Sequence, residues 1–240
     1  MDPVIARIRK DLKVSADPAI RASFQRFFKD EITYYGVKVP VVRKIAKKYW
    51  TEVKSLEKKE IFSLCEELYR SNYCEEAFIV SCWAHLLENR YEKEDLVVFR
   101  HWIDSYITNW ATCDGFCNHT VGEFIEKYPE YLGELKHWTQ SANRWMRRAA
   151  AVSLIVPAKK GKYLDTVLEI AGLLLTDKDD MVQKGYGWLL KEASRRHPEE
   201  VFDFVMSNRK EMPRTALRYA IELMPEAQRK ETMKKDLQEQ

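Results

Sequence analysis

Met181-Val-Gln-Lys-Gly-Tyr-Gly-Trp-Leu-Leu-Lys-Glu-Ala-Ser-Arg195 is the stretch from which the fold can be read. On a helical wheel Val182, Tyr186, Leu189, Leu190 and Ala193 form one apolar stripe, as a helix buried on one side requires. Lys184, Trp188, Lys191 and Arg195 follow at helical spacing on another face, so an indole sits among cations. That placement has two readings. The tryptophan either packs under lysine stems or presents an aromatic surface framed by charge for an anionic partner.

Working outward, Trp145-Met-Arg-Arg-Ala-Ala-Ala-Val152 aligns with Met181–Trp188 at a shift of 36 residues. Glu126-Lys-Tyr-Pro-Glu-Tyr-Leu132 resembles Arg195-Arg-His-Pro-Glu-Glu-Val201, which sets Pro129 and Pro198 69 residues apart, two units of about 34. A period of this length is that of helical-hairpin repeats, which stack so that one helix of each pair lines a concave surface. The expectation is therefore an all-α, curved solenoid of HEAT-like helical-hairpin repeats, in one domain over residues 1–240.

Upstream the same periodicity continues. Residues 1–35 read as helix, with Asp17-Pro18 a start signal, Phe24, Phe27, Phe28 and Ile32 at apolar positions, and Gly36 a helix stop. Val39-Pro40 opens a helix whose stripe is Val41, Val42, Ile45, Tyr49 and Trp50 and whose other positions carry Lys38, Arg43, Lys44, Lys47 and Lys48. Residues 56–71, 75–90 and 93–107 show three- and four-residue apolar spacing. No segment alternates long enough to argue for a strand. Arg144 and Arg148 stand four apart on a helix that Pro157 is expected to end, with Arg147 on a neighbouring face. Three arginines in five residues are often only a solvated face; their recurrence one unit away suits a nucleic-acid backbone.

Composition agrees. Eight Gly and eight Pro fall well below average usage of about 7% and 5%, and 7 Trp with 12 Tyr supply ample core. Charged residues make up 32% of the chain while the net charge is only +3, so any polyanion-binding face comes from local basic blocks. The start has no apolar leader and no run of 18 apolar residues exists, so a signal peptide, a membrane span and a membrane partner are not expected. Five cysteines without a Cys-x-x-Cys pair read as reduced thiols in a cytoplasmic protein.

Asn109-Trp-Ala-Thr-Cys-Asp114 places an indole at Trp110 four residues before a carboxylate at Asp114. Asp114 precedes Gly-Phe-Cys-Asn-His-Thr-Val and reads equally as the N-cap of a helix starting there or as a reactive carboxylate. Cys113 and Cys117 with His101 and His119 match no zinc spacing, and no metal is expected. A Gly-rich phosphate loop and a Gly-x-Ser-x-Gly elbow are both missing, and no cofactor is expected.

Taken together, Tyr35-Gly-Val-Lys-Val-Pro-Val-Val-Arg43, Asn109-Trp-Ala-Thr-Cys-Asp-Gly115, Trp145-Met-Arg-Arg-Ala-Ala150, Gln183-Lys-Gly-Tyr-Gly-Trp-Leu-Leu-Lys191 and Pro213-Arg-Thr-Ala-Leu-Arg218 resemble the AlkD family of DNA alkylation-repair glycosylases, almost end to end. The resemblance implies that Trp110, Asp114 and Trp188 act at the lesion and that Arg148 contacts DNA. It implies that Phe27 stands where relatives offer an aromatic to the lesion strand. Arg144, Arg147, Lys184, Lys191, Arg195, Lys38 and Arg43 are the accompanying DNA-binding candidates. The implied reaction is hydrolysis of the N-glycosidic bond of cationic N3- or N7-alkylpurines in double-stranded DNA, without base flipping.

Those residue types suit that chemistry. A cationic base is already a good leaving group, so the enzyme needs mainly to stabilise an oxocarbenium-like sugar. Indole faces attract a developing cation by roughly 0.5–2 kcal/mol each, a carboxylate adds charge and can orient water, and an arginine can hold the flanking phosphate. No Schiff-base lysine is identified, so a monofunctional glycosylase leaving an abasic site is expected, and a monomer is expected as well. Two other readings stay open at this point: a non-catalytic DNA-structure binder of the same fold, and a HEAT-like scaffold for a protein partner.

Overall fold

Helix-forming periodicity, caps and a shortage of turn residues lead to an all-helical chain. In a computed structural model, which describes residues 2–234, no strand occurs among the described residues. The chain divides into two compact units, residues 1–124 and 125–240. The helices are α1 (Pro3–Val14), α2 (Pro18–Phe24), α3 (Val39–Val53), α4 (Lys58–Tyr69), α5 (Cys74–Leu86), α6 (Asp95–Tyr106), α7 (Trp110–Phe116) and α8 (Gly122–Lys127). They continue with α9 (Leu132–Trp138), α10 (Arg144–Val152), α11 (Ile155–Lys159), α12 (Leu164–Leu173), α13 (Asp180–Ala193), α14 (Pro198–Asn208), α15 (Arg214–Ala220) and α16 (Glu226–Met233).

In the first unit α1 packs on α3, α3 on α5 and α5 on α7, while α4 packs on α1, α5 and α6. The core between them is aromatic: Trp83, Trp102, Phe99 and Phe116 are fully buried. Phe99 meets Phe116 edge-on at 5.7 Å and Phe62 meets Trp102 edge-on at 5.2 Å, the arrangement ring quadrupoles favour. The Trp83 indole N–H donates to the Ala46 carbonyl at 2.9 Å, which satisfies a buried donor and ties α5 to α3.

Residues 1–35 do not form one helical run. Asp17 does cap α2 through the Ala19 N–H at 2.8 Å, with Pro18 in the first turn. After α2 the chain makes a short 3-10 turn over Gln25–Phe27 and then runs without regular structure to α3. Gly36 is not a helix stop. It lies in that extended segment at φ +96, where a Cβ would stand 2.7 Å from the Asp17 carbonyl oxygen, so both backbone and space demand glycine. A buried carboxylate holds the segment: Glu75, 3% exposed, accepts the N–H groups of Tyr35, Gly36 and Val37 at 3.0, 2.9 and 2.9 Å.

The second unit carries the repeat. α10 and α13 start 36 residues apart, and so do their caps. Asn143 accepts the Trp145 N–H at 2.9 Å, and Asp179 accepts the Met181 N–H at 2.8 Å. Pro129 and Pro198 each open a helical segment, where a missing N–H costs nothing. Pro157 does not end the helix of Arg144 and Arg148. That helix stops at Val152, and Pro157 lies inside α11. α13 is the centre of this unit and packs on α10, α11, α12 and α15. Its stripe of Val182, Tyr186, Leu189, Leu190 and Ala193 is buried as its periodicity requires.

Candidate functional site

Asn109 starts α7. Its side-chain oxygen accepts the Thr112 N–H at 3.0 Å, and the residue is itself buried. The cap is therefore Asn109, five residues upstream of Asp114, which removes the reading of Asp114 as an N-cap. Trp110 occupies the first helical position and Asp114 lies one turn further on the same face, both half-buried. After Phe116 the helix widens into a π-helical segment over Cys117–Val121 before α8.

The Trp110 indole is braced from outside its helix. Phe28 stacks on it at 5.3 Å between centroids and 19° between planes. The indole N–H donates to the Phe27 carbonyl at 3.3 Å. Phe27 thus holds Trp110 through its backbone, while its own ring is 70% exposed. Phe28 is the aromatic that touches the indole. In the sequence it read only as a core position of a helix that does not form, and no spacing signal linked it to a residue 82 positions away. Phe24 completes the cluster, 5.8 Å from Phe28 and 5.4 Å from Tyr34. Lys38 and Arg43 are exposed, at the start of α3 and on it.

In the second unit Trp188 is half-buried on α13 with Lys184 and Lys191. Arg195 lies beyond the end of that helix and is exposed. The cations here are held by carboxylates: Lys184 by Asp180 at 3.2 Å, Lys191 by Glu222 at 2.7 Å, Arg195 by Glu192 at 2.6 Å and Arg144 by Asp179 at 3.4 Å. Arg147 is bound more firmly. It pairs with Asp177 through Nε at 2.7 Å and donates to the Ser141 and Ala142 carbonyls, a fastening between α10 and the turn before α13.

Arg148 is 5% exposed and donates to the Met181 carbonyl. Gly185 makes room for it, since a Cβ there would stand 3.3 Å from Arg148 Cγ. Its guanidinium therefore links α10 to the first turn of α13. Three of the four Cys and His residues of the sequence reading do not come together as one set of donors. Cys113 and Cys117 are fully buried, and His101 lies beside Glu66 and Ser105.

An all-α frame of packed helix pairs, with an aromatic and acidic helix face in one unit and a cationic, indole-bearing helix face in the other, is the class of protein the geometry defines. The DNA alkylation repair enzyme family matches residues 8–224, and the chain belongs to that family. Among solved structures it is similar to a predicted DNA alkylation repair enzyme from Enterococcus faecalis, with 18% identity, a TM-score of 0.79, and coverage of 88% of this chain and 98% of that one. It is also similar to AlkD2 from Streptococcus mutans, with 20% identity, a TM-score of 0.63, and coverage of 91% and 96%. At these identities the likeness speaks for the fold. No curated protein matches the chain. No helix among the described residues is long and apolar enough to cross a membrane.

Proposed function

We propose that this protein is a monofunctional DNA glycosylase that hydrolyses the N-glycosidic bond of cationic N3- or N7-alkylpurines in duplex DNA, acting without base flipping and as a monomer. The observation that carries this is the α7 face. An indole and a carboxylate stand one helical turn apart, both reachable from solvent, and the indole is held by the Phe28 stack and the Phe27 carbonyl. An indole fixed in place can offer its π face to a sugar that is becoming cationic without first losing rotamer freedom. Asp114 supplies negative charge and orients the attacking water. The base departs already neutralised by bond cleavage, so no general acid is needed.

Trp188 is assigned as a second indole for the same chemistry. Lys184, Lys191, Arg195, Arg144, Lys38 and Arg43 are assigned to the phosphate backbone, where those already paired would exchange a carboxylate for a phosphate. Arg147 and Arg148 are assigned to DNA as well; Arg147 also fastens α10 through Asp177 and two carbonyls, and Arg148 donates to the Met181 carbonyl at the start of α13. Phe27, with its ring exposed, is assigned to the DNA strand. The protein is assigned to the cytoplasm.

Single-turnover incubation with methylated duplex DNA tests this, with released bases identified. Release of 3-methyladenine or 7-methylguanine, leaving abasic sites, is the expected result. Tight binding to such DNA with no base release would favour a non-catalytic binder, and negligible DNA binding would favour a protein scaffold.

A further inference from the structure

His85 on α5 converges with two residues of the segment that follows α7. Its Nδ1 lies 2.8 Å from Glu123 Oε2, and His119 Nδ1 lies 3.8 Å from Glu123 Oε1. The two imidazoles are 5.3 Å apart. One donor atom from each of the three residues falls within 4.8 Å of the others, the one such group of three among the described residues. We propose that His85, His119 and Glu123 form a binding site for a borderline divalent cation of the Zn2+ type, separate from the Trp110 and Asp114 face.

Three features of the site support this. First, two imidazole nitrogens and one carboxylate are a donor set that suits Zn2+, unlike the all-oxygen sets that Mg2+ and Ca2+ prefer. Tetrahedral coordination at about 2.0–2.1 Å needs donors about 3.4 Å apart. Glu123 meets the two rings through its two oxygens at 2.8 and 3.8 Å, either side of that separation, and the side chains of His85 and His119, 44% and 56% exposed, can turn to even the spacing. Second, the carboxylate is already placed between the two rings and its side chain is only 22% exposed. Third, His119 lies within the π-helical segment Cys117–Val121. Such widenings are rare and recur at functional sites.

Three protein donors leave one coordination position for water or an exogenous ligand. A bound ion would also pin α5 to the π-helical segment immediately after the Asp114 helix. In the sequence His119 stands with Cys113, Cys117 and His101 rather than with His85, which lies 34 positions upstream.

The test uses the full chain, stripped with a chelator and dialysed free of it. Co2+ is titrated as a spectroscopic probe, then displaced by Zn2+, and thermal unfolding is recorded with and without Zn2+. One equivalent of Co2+ with visible d–d bands, displaced by Zn2+, and a Zn2+-dependent rise in melting temperature are expected. His119→Ala and His85→Ala should each weaken Zn2+ binding by more than about tenfold, while His101→Ala leaves it unchanged. Glu123→Gln covers the case in which a histidine variant fails to fold, since it keeps shape and loses the anionic donor. Absence of Co2+ bands and of any Zn2+ shift, or equal loss in His101→Ala, would show a hydrogen-bonded cluster only and overturn the proposal. None of these readouts depends on base release.

Discussion

Replacing Asp114 with Asn isolates the charge on the α7 face. The helix does not depend on it for capping, because Asn109 holds the first turn, so the fold should tolerate the change within about 1 kcal/mol. A carboxylate about 4 Å from a developing unit positive charge is worth about 4 kcal/mol at an effective dielectric near 20. Asp114 is half-buried, so water screens part of this, and the loss of charge at unchanged shape should cost about 2.7–4 kcal/mol. At about 1.4 kcal/mol per tenfold, that is a fall of about 10²–10³ in single-turnover excision. Excision of 7-methylguanine from methylated duplex DNA, duplex binding by anisotropy, and thermal melting would be measured on the same preparations. Retained binding and melting with the rate loss support the role. Undiminished excision would refute it, and a matching loss of melting temperature would return Asp114 to a structural part.

Other substitutions address the frame of that face. Phe28→Ala removes the stack on Trp110; a ring pair is worth about 0.5–1.5 kcal/mol, so excision should fall about two- to tenfold, with Phe27→Ala acting on DNA binding instead. Gly187→Ala would set a Cβ 2.7 Å from the Ala216 carbonyl oxygen and 2.8 Å from Tyr219 Cβ, so α15 must shift. Overpacking of this kind costs about 1–3 kcal/mol, and the melting temperature should drop by several degrees. Glu126 bridges Lys160 at 2.7 Å and Lys162 at 2.8 Å. Burial would raise its pKa, but those hydrogen bonds outweigh it and lower it. Its contribution is present above the ordinary carboxylate value of about 4.3 and is lost as pH falls through the lower folded value. Glu126→Gln should therefore reduce stability at pH 7 and flatten the acid limb of a denaturation series.

Periodicity made α3, α4, α5, α6, α10 and α13 legible before any coordinates, because an amphipathic helix writes its buried face into consecutive residues. The 36-residue shift was equally readable, and the matched caps at Asn143 and Asp179 show why. Each repeat restarts its helix with the same local hydrogen bond. Local signals misled where tertiary contacts decide. Phe24, Phe27, Phe28 and Ile32 have helical spacing, yet the chain leaves the helix after α2: Phe28 stacks on Trp110, and further on Glu75 takes the Tyr35, Gly36 and Val37 N–H groups. Pro157 read as a stop although α10 had already ended at Val152. Asp114 read as a possible cap because the true cap, Asn109, lay ahead of a stretch whose helical start was misplaced.

The sequence by itself determined an all-helical chain with a degenerate repeat, and it singled out Trp110, Asp114, Arg148 and Trp188, since residue identity and short-range spacing are one-dimensional properties. Only the tertiary structure decided which groups meet. Arg147 pairs with Asp177 and Arg148 donates to the Met181 carbonyl, Phe28 rather than Phe27 stacks on the indole, and His85 reaches His119 and Glu123. Each of these depends on a contact between residues about 30 or more positions apart, and the geometry of such a meeting is set by packing, which no local pattern records.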